Sequence, residues 1–171
     1  LAGSISSSGR FASGLVAISL ETLFGMNTRD ALTVSIPLFL ACLPITMYFF
    51  SRVVFNFNTR VSKIVAWLTC FSGPITLSYL YFYLGQNSGL AAIPLILGVG
   101  YLTITRVDLK LLILSSFLVN ALFVTYLGML PYALAPLGIL ALYMLAVKTL
   151  SINNFFKLLF FALLISFIMN F

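Results

Sequence analysis

Few side chains in this sequence could carry chemistry. There are three acids, Glu21, Asp30 and Asp108, two cysteines, nine Lys and Arg, and no histidine. Without His the commonest general base is missing, and zinc, haem or chlorophyll held through imidazole is excluded, as is Ser–His hydrolysis. Asp108 sits in TRVDLK between Arg106 and Lys110, where it reads as a loop charge balancing its neighbours. Intramembrane enzymes that hold Mg²⁺ use clustered aspartates, and three isolated acids supply no cluster. Cys42 and Cys70 form no CxxC pair and read as small buried apolar groups. Gly98-x-Gly100 has no Lys after it and is no nucleotide loop. No catalytic, cofactor-binding or metal-ligating set is assigned.

Polar groups inside apolar stretches remain. Glu21 lies in FASGLVAISLETLFGM, and an ionisable group within such a segment marks a coupling-ion site or a partner for a basic side chain. Were the segment to lie flat at an interface, Glu21 would simply reach water. Thr69, Ser72 and Thr76 fall at helical spacing on one stretch, and Ser116 and Asn120 at i, i+4 on another. Each set reads either as hydrogen-bonding glue between helices, at about 0.6 kcal/mol per contact, or as the lining of a small-solute route beside Gly73-Pro74 and Pro94. Ala135, Gly138 and Ala141 form a small-residue face suited to close helix packing.

These groups sit on long apolar stretches. The chain of 171 residues is 62% hydrophobic and 7% charged, where a soluble domain carries about 25% charge. That composition predicts an all-α, polytopic membrane helix bundle in a single domain over 1–171. Residues 64–84 hold 21 residues without a formal charge, and about 1.5 Å of rise per residue takes them across roughly 30 Å of hydrocarbon. Further spans are expected near 31–51, 90–105, 109–127, 131–147 and 155–171. Pro37 and Pro44 fall inside the first of these, and kinks are expected there. Residues 11–26 are short for a span and cross, re-enter or lie at the interface, giving six or seven spans. Residues 1–10, rich in Ser and Gly, read as a flexible tail, and a remnant of an organellar leader would share their composition. Gly85-Gln86-Asn87-Ser88-Gly89 and 52–63 read as connectors. Asn27 or Thr28 is a candidate cap for the helix after it, with Asp30 in its first turn.

Alternating spans put Arg52, Arg60, Lys63, Arg106, Lys110, Lys148 and Lys157 on one side and Arg29 on the other. Arg10 joins the majority if 11–26 crosses. Basic loops face the cytoplasm, matrix or stroma, so the C-terminus is expected opposite. The basic residues are scattered, which argues for topology signals rather than a nucleic-acid surface. The expected partners are the lipid bilayer and other integral membrane subunits, with no nucleic acid and no cofactor. The expected role is a non-catalytic subunit of a larger membrane complex. The alternatives are a transporter or channel component, with Glu21 as the coupling charge, and a lipid-modifying enzyme that uses Arg52, Arg60, Lys63 or Arg106 to bind phosphate.

Overall fold

In the computed structural model the described residues are 11–70, 84–126 and 130–160, and they contain helices and connections but no strand. The helices are α1 (Phe11–Phe24), α2 (Thr28–Val53), α3 (Thr59–Cys70), α4 (Leu84–Arg106), α5 (Leu109–Tyr126) and α6 (Leu130–Ala146). A further helical stretch, α7, covers 152–160. Arg29–Val53 is long and apolar enough to cross a membrane, and Leu90–Arg106, Leu109–Phe123 and Leu130–Ala146 are shorter apolar helices.

Short polar side chains fix where helices begin. Asn27 Oδ1 accepts the Asp30 N–H at 2.9 Å, and Asn27 Nδ2 donates to Asp30 Oδ2 at 2.7 Å. Asn27, not Thr28, is therefore the cap, with Asp30 in the positive first turn of α2. Asn58 Oδ1 takes the Val61 N–H at 2.9 Å and starts α3. Asp108 Oδ1 takes the Lys110 N–H at 3.2 Å at the start of α5, so it caps a helix as well as balancing charge. Ser151 Oγ takes the Asn154 N–H at 3.3 Å before α7. Helix ends use the left-handed region. Gly25, Asn56, Val107 and Lys148 have φ of 64°, 52°, 49° and 60°. For β-branched Val107 that conformation is an outlier costing about 1–3 kcal/mol. Its packing beside Ile104, Ala141 and Leu150 offsets that strain.

Two connectors differ from the sequence expectation. Residues 85–89 are helical and belong to α4. The first four N–H groups of a helix have no intrahelical partner, so Gly85, Gln86 and Asn87 are tolerated in its first turn. The 52–63 connector shrinks to 54–58, because α2 runs on to Val53 and α3 starts at Thr59. α2 continues through both Pro37 and Pro44.

α4 is the central helix, packing on α2, α5 and α6 and touching α1, while α2 also packs on α1 and α3. Ile96 clusters with Ala133, Gly100 meets Leu137, and Ile104 clusters with Ala141. Four residues along α4 match four along α6, so these helices run parallel. Leu122 joins Ile96, whereas Thr103 bonds to Leu111 and Ser115, so α5 runs antiparallel to both. The close approaches need glycine. A Cβ on Gly98 would lie 2.6 Å from the Phe49 ring of α2, and one on Gly100 would collide with the end of Leu137.

The interior mixes small and hydroxyl-bearing residues with large aliphatic ones such as Ile96 and Leu122. α2 buries Ala31, Ser35, Leu43 and Ser51, all in one register of four, α3 buries Ser62 and Ala66, and α5 buries Leu112, Ser116 and Asn120. The outside carries the large apolar groups: Leu38, Ile45, Trp67, Leu68, Ile113, Phe117, Ile139, Leu142 and Phe156 are all exposed.

Candidate functional site

Three of the six buried polar residues, Thr103, Ser116 and Asn120, gather on α4 and α5, while Ser35, Ser51 and Ser62 are buried on α2 and α3. Thr103 Oγ1 donates to its own helix at Val99 O, 2.8 Å away, and lies 3.2 Å from Leu111 O. It also shares a short hydrogen bond with Ser115 Oγ. Next to it, Ser116 Oγ donates to Leu112 O at 2.9 Å, and Asn120 Nδ2 donates to Ser116 O at 3.0 Å. Thr103, Ser116 and Asn120 are buried, and Ser115 is half-buried. A cavity of about 280 Å³ opens beside these hydroxyls, walled by residues of α4, α5, α6 and α7. Thr103, Ser115 and Ser116 supply its hydroxyls and leucines most of the rest, and no charged side chain lines it.

Of the polar positions named from sequence, Ser116 and Asn120 share the buried face of α5. Thr103, which joins the two helices, was not among them. A single Thr in a run of apolar residues gives no signal until the partner helix sets its register. Thr69 is half-buried on α3, and its Oγ1 donates to Val65 O at 2.8 Å. Ser72 and Thr76 lie outside the described residues.

Glu21 is half-buried on α1. Its Oε1 is shielded from solvent and has no hydrogen-bond partner among the described residues. The Ser62 hydroxyl, on the face of α3 that is fully buried, likewise has none.

The small-residue face of α6 is not a single internal contact. Ala141 is buried, but Ala135 and Gly138 are exposed, and a Cβ on Gly138 would meet nothing within 4 Å. The helix turns Ala133, Leu137 and Ala141 inward instead, in the four-residue register that α4 imposes. The cysteines also depart from the expectation of burial. Both are exposed, Cys42 because it falls one residue off the buried register at Leu43, while the Cys70 thiol bonds back to Ala66 O at 3.5 Å.

Arg52, Arg60, Lys63, Arg106, Lys110, Lys148 and Lys157 are all exposed. Arg106, Lys110, Lys148 and Lys157 adjoin the cluster of Ile104, Val107, Leu150, Phe155 and Leu158, which places them at one end of the α4–α5–α6 bundle. Arg52 donates to Phe57 O and braces the α2–α3 turn. Lys63 borders a groove between α2 and α3 that is otherwise lined by Pro44, Ile45, Tyr48, Ala66, Trp67 and Cys70.

No protein family, curated protein or solved structure matches this chain. Among the described residues no three of His, Cys, Asp and Glu come together as a metal-binding group. What the site offers is hydroxyl and carbonyl oxygens beside an apolar space, with the half-buried Glu21 carboxylate elsewhere on α1. That arrangement can bind a hydrogen-bond donor or hold helices together.

Proposed function

We propose that this chain is a multi-pass integral membrane protein of six or seven spans, acting as a non-catalytic subunit of a larger membrane complex. One observation carries the membrane part. Large apolar side chains such as Trp67, Phe117, Ile139 and Phe156 face outward, while Ser35, Ser51, Ser62, Thr103, Ser116 and Asn120 are inside. A water-soluble fold does the reverse, because burial of apolar area is what stabilises it. In lipid the outside costs nothing, and small residues with interhelical hydrogen bonds hold the helices together. The grouping of Arg106, Lys110, Lys148 and Lys157 at one end fits basic loops facing the cytoplasm, matrix or stroma, with the C-terminus opposite. Of the shorter apolar helices, Leu90–Arg106 and Leu130–Ala146 reach about 25 Å and lie at the lower limit for crossing, and the apolar stretch Leu109–Phe123 is a little shorter.

The subunit role is supported by exposed contact surface that the described residues do not fill, including Ala135 and Gly138 on α6. The test is alkaline extraction of native membranes, then purification of the tagged chain in mild detergent with identification of everything that co-purifies. Resistance to extraction and stoichiometric membrane partners are expected. Release by alkali overturns the membrane reading, and a lone chain overturns the subunit role.

Glu21 favours a second reading, a component of a transporter or channel for a small solute or ion. A shielded carboxylate oxygen without a partner among the described residues suits a coupling or gating charge. If so, Glu21→Gln abolishes flux in reconstituted vesicles while insertion and assembly persist.

A further inference from the structure

We infer that the cavity between α4, α5, α6 and α7 is a binding site for a neutral, single-chain amphiphile that presents an O–H donor, such as an aliphatic alcohol. The inference follows from counting hydrogens. A hydroxyl has one hydrogen and two lone pairs. Ser116 spends its hydrogen on Leu112 O. Thr103 can spend its own on Val99 O, leaving the Ser115 hydrogen for the bond that these two hydroxyls share. All three hydrogens then have acceptors within the protein, and of six lone pairs one is used. The cluster therefore offers acceptors, not donors, to whatever occupies the cavity.

The remaining walls exclude other ligand classes. Leu112, Val119, Leu134, Leu137 and Leu158 surround the hydroxyls, so the body of the ligand is apolar. No charged side chain lines the space, so an ammonium or a phosphate would be desolvated without a counter-charge, which is costly. About 280 Å³ is small for a ligand pocket. It corresponds to about nine waters of liquid volume, which suits one short chain rather than a whole two-chain lipid. Gly100 lets Leu137 pack against bare backbone at the cavity wall. The inference rests on the membrane reading for the ligand's route of entry, and failure of that reading appears separately, in alkaline extraction.

The test uses the purified full chain in detergent and a ten-carbon primary alcohol carrying a mid-chain diazirine. Photolabelled peptides are located by mass spectrometry. Tenfold excess 1-decanol is expected to reduce labelling of the α4–α6 peptides at least fivefold, and methyl decyl ether, which lacks the O–H, less than twofold. Leu134→Trp, which fills the cavity from its half-exposed rim, is expected to reduce labelling at least fivefold. Thr103→Val should bring the two competitors within twofold of each other. Equal competition by alcohol and ether on the unaltered chain overturns the inference and needs no variant to fold. Labelling undiminished in a folded Leu134→Trp protein also overturns it.

Discussion

Three single side chains separate packing from function. Thr103 bonds across to α5, whereas Ser116 bonds only within its own helix. Thr103→Val should lower stability by about 1 kcal/mol, and Ser116→Ala should change it by less than about half that, measured by reversible unfolding in mixed micelles. Equal losses would mean that the α4–α5 bond adds nothing. Ser62 has the opposite expectation. Its buried hydroxyl has no partner among the described residues, so Ser62→Ala should raise stability by up to about 1 kcal/mol. A drop would reveal a bond to a group outside the described residues. Glu21 was legible from sequence as a charge in an apolar stretch, and Ser116 and Asn120 as one helical face. Thr103 was not legible, because its role depends on which α5 residue lies opposite.

At the level of elements, glycine decides how closely helices approach. Gly98 stands against the rigid Phe49 ring, while Gly138 faces open space. Gly98→Ala should therefore cost about 1–3 kcal/mol through overpacking. Gly138→Ala should gain up to about 1 kcal/mol of helix propensity, unless a partner subunit occupies that face in the native complex. In that case the gain holds for the isolated chain and co-purification falls. The caps are a second element-level test. Asp108→Ala removes the side-chain acceptor at the start of α5 and should cost about 1 kcal/mol, read in the same unfolding experiment. Of the caps, Asn27 is legible in the sequence, whereas Asp108 reads there as a loop charge and Asn58 and Ser151 show their role only in the structure. The helical state of 85–89 is not legible either, since Gly, Asn and Ser there look like a loop.

For the whole molecule, the distribution of charge makes a topological prediction. With Cys42 and Cys70 replaced by Ser, single cysteines at Lys110 and Lys148 should share one labelling state toward an impermeant maleimide in sealed vesicles, and one at Arg29 should show the other. The first pair lies at the same end of the bundle. Opposite labelling of the Lys110 and Lys148 positions would contradict the bundle geometry itself, and labelling of all three from one side would contradict the membrane reading.

Composition and periodicity alone determined that this chain is helical. That follows from local physics, since apolar runs of the right length satisfy their own backbone as helices. Which small residues matter was decided by tertiary structure. Among the described residues a Cβ on Gly98 or Gly100 would meet a neighbour and one on Gly138 would meet none within 4 Å, and Ala135 is exposed, although all four look alike in sequence. The hydroxyl cluster and its cavity arise in the same way, from setting α4 parallel to α6 and against α5. Register between helices is a property of side chains far apart in the chain, and no single helix encodes it.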